Sequence, residues 1–114
     1  MKALGAYIFA GGFALGVKKH FDILAHFEMK PGVYKKTFQA NFPKVEYYEG
    51  EENWPREKFK NKVDFIYCNP PCAPWSNLGS TQKGAMAWRD DPRIACWRNA
   101  FNLLKDLKPK AIVL

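Results

Sequence analysis

Residues 3–28 read ALGAYIFAGGFALGVKKHFDILAHFE, two apolar runs of strand length separated by a glycine-bearing segment that ends in lysines. The first run, Ala3 to Ala10, stops at Gly11-Gly12, and glycines directly behind an apolar run mark a tight turn. The segment with Gly16, Lys18 and Lys19 then reads as a short helix. Phe21 to Glu28 reads as a second strand that finishes on an acid. Strand, turn, helix, strand is the unit of parallel sheets, because parallel neighbours cannot be joined by a hairpin and need a crossover.

The alternation continues outward from this stretch. Val33 to Phe42 has amphipathic helical spacing, with Val33, Phe38 and Phe42 as its apolar positions. Lys44 to Glu49 is a short third strand, Pro55 to Lys60 a brief helix with proline in its first turn, and Val63 to Cys68 a fourth strand. Pro70 and Pro71 end that strand, because each removes a backbone donor and fixes a φ angle. Asn77 to Asp90 is polar and glycine-bearing and reads as an exposed loop. Asp91-Pro92 opens a helix with Ile94, Trp97, Phe101, Leu104 and Leu107 at three- and four-residue spacings, and Lys108-Pro109 closes it. Ala111 to Leu114 is a fifth strand. The expected architecture is one α/β domain over residues 1–114, a Rossmann-like parallel sheet with helices on both faces and right-handed crossovers.

With 114 residues, 47% of them apolar and 16% aromatic, the chain can bury one core. Its formal charge of +7 suits a polyanionic partner such as nucleic acid, although a basic surface also serves solubility alone. Cys68, Cys72 and Cys96 are odd in number and lack CxxC spacing, and His20 and His26 do not complete a zinc quartet, so no metal is expected. Without a disulfide framework, a signal peptide or an apolar run near the ~20 residues of a membrane span, the expectation is a soluble intracellular protein.

In open parallel sheets ligands bind outside the carboxyl ends of the strands. Gly11-Gly12, Glu28, the Glu49 to Asn53 region and Asn69 to Cys72 all fall at that edge. Glycines admit a ligand close to the backbone, an acid after the second strand can accept both hydroxyls of a ribose, and Met29 offers an apolar surface to a purine. Together they point to a nucleoside-containing cofactor. Each residue also has a plainer role: Glu28 as a solvated strand end, Met29 as core filler, Cys72 as a small buried hydrophobe.

Phe9-Ala10-Gly11-Gly12-Phe13-Ala14-Leu15-Gly16, then Glu28, Asn41-Phe42-Pro43, Pro70-Pro71-Cys72, Gln82-Lys83-Gly84, Asp91-Pro92-Arg93 and Lys108 to Leu114 together resemble the DNA (cytosine-5) methyltransferases, in order and spacing, over nearly the whole chain. The resemblance implies S-adenosylmethionine as cofactor and DNA as partner. It makes Cys72 the nucleophile that adds to C6 of a flipped-out cytosine. It places Phe9, Ala10, Gly11, Gly12, Phe13, Glu28, Met29 and Pro70 around the cofactor, with Glu49, Glu51 and Asn53 as alternatives for receiving the adenine amino group. Pro71, Ser76, Gln82, Lys83 and Arg93 fall on the DNA side, and the Asn77 to Asp90 loop closes over the base.

The chain departs from that family in three places. The first motif usually reads Phe-Ala-Gly-x-Gly-Gly, so either the loop is two residues short or Phe9 stands at the first glycine. Asn69 replaces a glycine, and Asn69-Pro70-Pro71 resembles the turn of amino-group (N6-adenine or N4-cytosine) methyltransferases, in which Asn69 would carry the chemistry. The family also continues from its Lys-Pro-Lys strand into Glu-Asn-Val and target-recognition segments, whereas this sequence stops at Leu114. The expectation is a fragment, a half-enzyme completed by a second chain, or a non-catalytic DNA- or protein-binding relative.

Overall fold

The computed structural model describes residues 1–76 and 87–114, with residues 87 and 88 described by their backbone alone. In chain order the elements are β1 (Lys2–Ala6), α1 (Gly12–Val17), β2 (Asp22–Glu28), α2 (Lys35–Asn41), β3 (Glu46–Glu49), a 3-10 turn (Glu51–Asn53), α3 (Arg56–Phe59), β4 (Phe65–Cys68), a second 3-10 turn (Ala87–Asp90), α4 (Ile94–Leu107) and β5 (Ala111–Val113). The strands form one sheet in the order β3-β2-β1-β4-β5, and every pairing is parallel. Succession runs one way from β1 through β2 to β3 and the other way through β4 to β5. The order therefore reverses beside β1, where such sheets bind ligands.

Side chains alternate across the sheet with the period of two that strands impose. One face carries Leu4, Ala25, Phe27, Ile66 and Cys68 against Phe59 of α3 and Cys96, Ala100, Leu103 and Leu107 of α4. The other carries Ala3 and Tyr67 against Ala14 and Val17 of α1 and Phe38 of α2. This is the Rossmann-like α/β sheet with both faces covered that the sequence predicts.

Three expectations are corrected. The first strand ends at Ala6 and not at Ala10, since Tyr7 and Phe9 take left-handed φ values of 57° and 53°. The apolar run outlasts the strand because Tyr7 and Ile8, already in the turn, are each buried, one in either core. Val33 is 78% exposed and precedes α2, whose anchors are Phe38 and Phe42. In α4 the buried stripe is Cys96, Ala100, Leu103 and Leu107, while Phe101 is exposed and Ile94, Trp97 and Leu104 are half-buried. That is a rotation of about 100°, one residue, from the stripe of large side chains. The small Cys96 and Ala100 let the helix approach the sheet, and the bulky aromatics lie toward its flank.

Candidate active site

Glu28 is the last residue of β2, and its carboxylate is buried at the sheet edge. Its Oε2 accepts the Phe9 N–H at 2.9 Å and lies 3.3 Å from His26 Nε2; its Oε1 accepts the Met29 N–H at 2.9 Å. A hollow of about 240 Å³ opens beside it, walled chiefly by Phe9, Met29, Pro31 and Tyr34. The turn after β1 delivers the Phe9 N–H. Gly11, at φ 89°, has no room for a side chain: a Cβ there would sit 2.7 Å from Phe38 and 2.9 Å from Phe42. Phe9 also lies in the left-handed region that glycine prefers. Of the two alignments of the glycine motif, the backbone therefore favours the one with Phe9 at the first glycine, which leaves the turn at full length and sets Tyr7 where the motif has phenylalanine.

A second hollow of about 260 Å³ lies between the β2 and β3 ends and the start of α4, lined by Gly50, Glu51, Pro92, Arg93 and Cys96, and it shares Met29 and Lys30 with the first. The Tyr7 hydroxyl donates to Glu51 Oε1 at 2.7 Å. Burial, and then that bond to Glu51, holds the Tyr7 hydroxyl well above the ordinary range. The three residues considered after β3 thus separate. Glu51 faces the hollow, Glu49 Oε1 is taken by the Gly32 N–H at 3.0 Å, and the exposed Asn53 donates its amide to the Glu49 carbonyl at 3.2 Å. Gly50, at φ 82°, makes the corner that separates Glu49 from Glu51.

At the end of β4 the Asn69 N–H continues the sheet by donating to the Ala6 carbonyl at 3.1 Å, and Pro70 is buried. The Pro71 carbonyl accepts Trp97 Nε1–H of α4 at 2.8 Å, and Trp97 meets Trp75 edge-on at 5.0 Å. Cys72 is exposed on this pinned turn, with its carbonyl accepting the Trp75 N–H at 3.0 Å. The other two thiols are buried. Burial, with the Glu28 charge beside it, pushes Cys68 up to about 12, and burial with Glu51 pushes Cys96 up to about 11.

Other predicted residues lie apart. Phe13 stacks on Tyr67 at 5.5 Å, over a different hollow walled by Gly16, Val17, Phe21 and Phe65. Ala10 is half-buried in the turn and Gly12 is exposed at the start of α1. Arg93 forms a two-pronged pair with Asp91, at 2.9 and 2.6 Å, and the Ser76 hydroxyl donates to the Ala73 carbonyl at 3.2 Å. Gln82 and Lys83, and most of the expected Asn77 to Asp90 loop, lie outside the described residues. Some of the basic charge gathers at the opposite edge of the sheet, where Lys2, Lys62, Lys108 and Lys110 line a polar hollow. Among the described residues no cluster of His, Cys, Asp or Glu could hold a metal ion, and no helix is long and apolar enough to cross a membrane.

His26, Tyr7 and Trp97 had no place in the sequence-based site. For His26 a signal existed, since residues two apart on a strand share a face and His26 precedes Glu28 by two. Tyr7 and Trp97 reach their partners only through the crossovers.

The sequence profile described as C-5 cytosine-specific DNA methylase matches residues 4–114. Among curated proteins, the chain is 33% identical over 112 residues to Type II methyltransferase M.NgoPII of Neisseria gonorrhoeae, a match covering 96% of this chain and 31% of that protein. It is 31% identical over 112 residues to Type II methyltransferase M1.HphI of Haemophilus parahaemolyticus, covering 92% of this chain and 29% of the relative. It is also 31% identical over 115 residues to Type II methyltransferase M.FnuDI of Fusobacterium nucleatum, covering 96% and 30%. The chain thus spans under a third of the length of these relatives.

Proposed function

The chain belongs to the C-5 cytosine-specific DNA methylase family, and from that premise we propose that residues 1–114 are the cofactor- and nucleophile-bearing part of a catalytic domain that methylates C5 of cytosine in DNA. The observation that carries the reading is Cys72: exposed, directly behind Pro70-Pro71, on a turn tied to β1 and α4, while Cys68 and Cys96 are buried. Cytosine C5 is too electron-poor to accept a methyl group unaided. Addition of the Cys72 sulfur to C6 moves the ring's electron pair toward C5, and loss of the C5 proton later expels the thiolate. A thiolate suits both steps because it is strongly nucleophilic near neutral pH and able to leave afterwards.

The cleft suits the nucleoside end of S-adenosylmethionine, which when bound supplies an electrophilic methyl group. Glu28 keeps acceptor capacity beside an apolar hollow, Met29 separates that hollow from the next, and Glu51 presents a carboxylate there. On this reading Glu28 holds the ribose, Met29 packs on the purine, Glu51 receives the adenine amino group, and the Gly11-Gly12 turn lies along the methionine end. Asn69 serves the turn through its backbone rather than through amino-group chemistry. On this reading turnover also needs the Glu-Asn-Val glutamate and the recognition segments that the resemblance implies, which are not among residues 1–114.

The test is covalent trapping. Duplexes carrying 5-fluorocytosine are mixed with the chain, S-adenosylmethionine and the C-terminal remainder of M.NgoPII supplied as a separate polypeptide. A denaturation-stable adduct mapping to Cys72 and absent from Cys72→Ser is expected. An adduct at Cys96, or methylation retained by Cys72→Ser, would overturn the assignment.

A further inference from the structure

An ionised carboxylate has about four lone-pair positions. Three are taken at Glu28: two on Oε2, by the Phe9 N–H and His26 Nε2, and one on Oε1, by the Met29 N–H. The His26 ring is fully buried and packed against Phe38 at 4.3 Å and Tyr47 at 5.1 Å, which leaves it little room to turn away. Its Nδ1 has no partner, which fits the tautomer with hydrogen on Nε2, the one able to donate to Glu28.

We propose that Glu28 engages one hydroxyl of the bound ribose rather than both, through the remaining position on Oε1, and that His26 is the positioning residue that imposes this by occupying Oε2. The inference rests on the nucleoside reading of the cleft and adds to it a specificity that the carboxylate alone would not have. Phe9 contributes through its backbone only. His26 contributes through a side chain that can be exchanged, which makes it the lever.

Isothermal calorimetry of this chain with S-adenosylhomocysteine and its 2′-deoxy and 3′-deoxy analogues tests it. One analogue should bind about tenfold or more weakly and the other within about twofold of the parent ligand, since a hydrogen bond to a charged group contributes at least that factor. His26→Phe keeps the stack but not the donor and should bring the two analogues to within about threefold of each other. His26→Gln restores an N–H donor and should restore the asymmetry. A merely structural His26 would shift the melting temperature and leave that ratio unchanged, which would overturn the positioning role. Equal losses for both analogues in the unmutated chain would overturn the single-hydroxyl inference, whether or not the variants fold. Failure of S-adenosylhomocysteine itself to bind would instead sink the nucleoside reading, and this inference with it.

Discussion

Glu28→Gln separates a solvated strand end from a carboxylate on which the turn is built. The carboxylate receives three hydrogen bonds, two from backbone N–H groups and one from His26. In the variant the amide oxygen can serve Oε2 and keep the Phe9 and His26 donors, but its NH2 then confronts the Met29 N–H. Leaving a buried donor unpaired costs about 1–3 kcal/mol, and weakening two charge-assisted bonds to neutral ones adds about 0.5–1 kcal/mol each. The carboxylate is almost fully buried, so solvent does not screen the loss. The expected destabilisation is about 3 kcal/mol, a large share of the 5–15 kcal/mol that typically holds a domain together. In urea unfolding followed by far-UV circular dichroism, the midpoint should fall by about 1–2 M for a slope near 2 kcal/mol/M. A solvated strand end predicts a change within about 0.5 kcal/mol. A midpoint shift below about 0.3 M would refute the view that Glu28 organises the glycine turn.

Gly11→Ala should cost about 2 kcal/mol or more, because it combines a left-handed φ with a Cβ at 2.7 Å from Phe38, and thermal melting reads the loss directly. Brief alkylation with iodoacetamide at pH 8, followed by peptide mass spectrometry, should label Cys72 well before Cys68 and Cys96, whose thiols burial holds at about 12 and 11; equal labelling of Cys96 would contradict its place in the core. Those raised values also fix a pH dependence. A thiol that ionises near 9 when unfolded and higher when folded stabilises the fold below pH 9, and the contribution drains away as pH rises toward the folded value. Between pH 9 and 10 the stability advantage of the parent over Cys68→Ala should shrink by up to about 1.4 kcal/mol, and parallel curves would show that Cys68 ionises as freely in the fold as outside it. Trp97→Phe removes the donor to the Pro71 carbonyl and should cost about 1 kcal/mol while raising the alkylation rate of Cys72; an unchanged rate would mean that α4 does not restrain the turn.

The strands, their parallel pairing and the edge that carries the site are legible in the chain because their determinants are local. An apolar run closed by Gly11-Gly12, by an acid at Glu28 or by Pro70-Pro71 announces a strand and its end within a few residues. For Cys72 the letters leave a buried hydrophobe and a surface thiol both open, and the fold exposes it.

What the sequence left open turns on distances between segments far apart in the chain. Helix α4 offers two apolar stripes, and the choice between them depends on how close the helix comes to β4, which favours the small Cys96 and Ala100 over the larger Trp97 and Phe101. The glycine motif admits two alignments, and only the left-handed backbone at Phe9, which brings its N–H to Glu28, distinguishes them. Glu49, Glu51 and Asn53 are equivalent as letters, and the corner at Gly50 sends Glu51 to the hollow and Glu49 to Gly32. Sequence alone thus determined the α/β class and the edge at which Gly11-Gly12, Glu28 and Pro70-Pro71 gather, because propensity and chain punctuation act over a few bonds. Tertiary structure decided which carboxylate oxygens remain available, because a hydrogen bond from Phe9 to Glu28 exists only after the crossover has laid β2 beside β1.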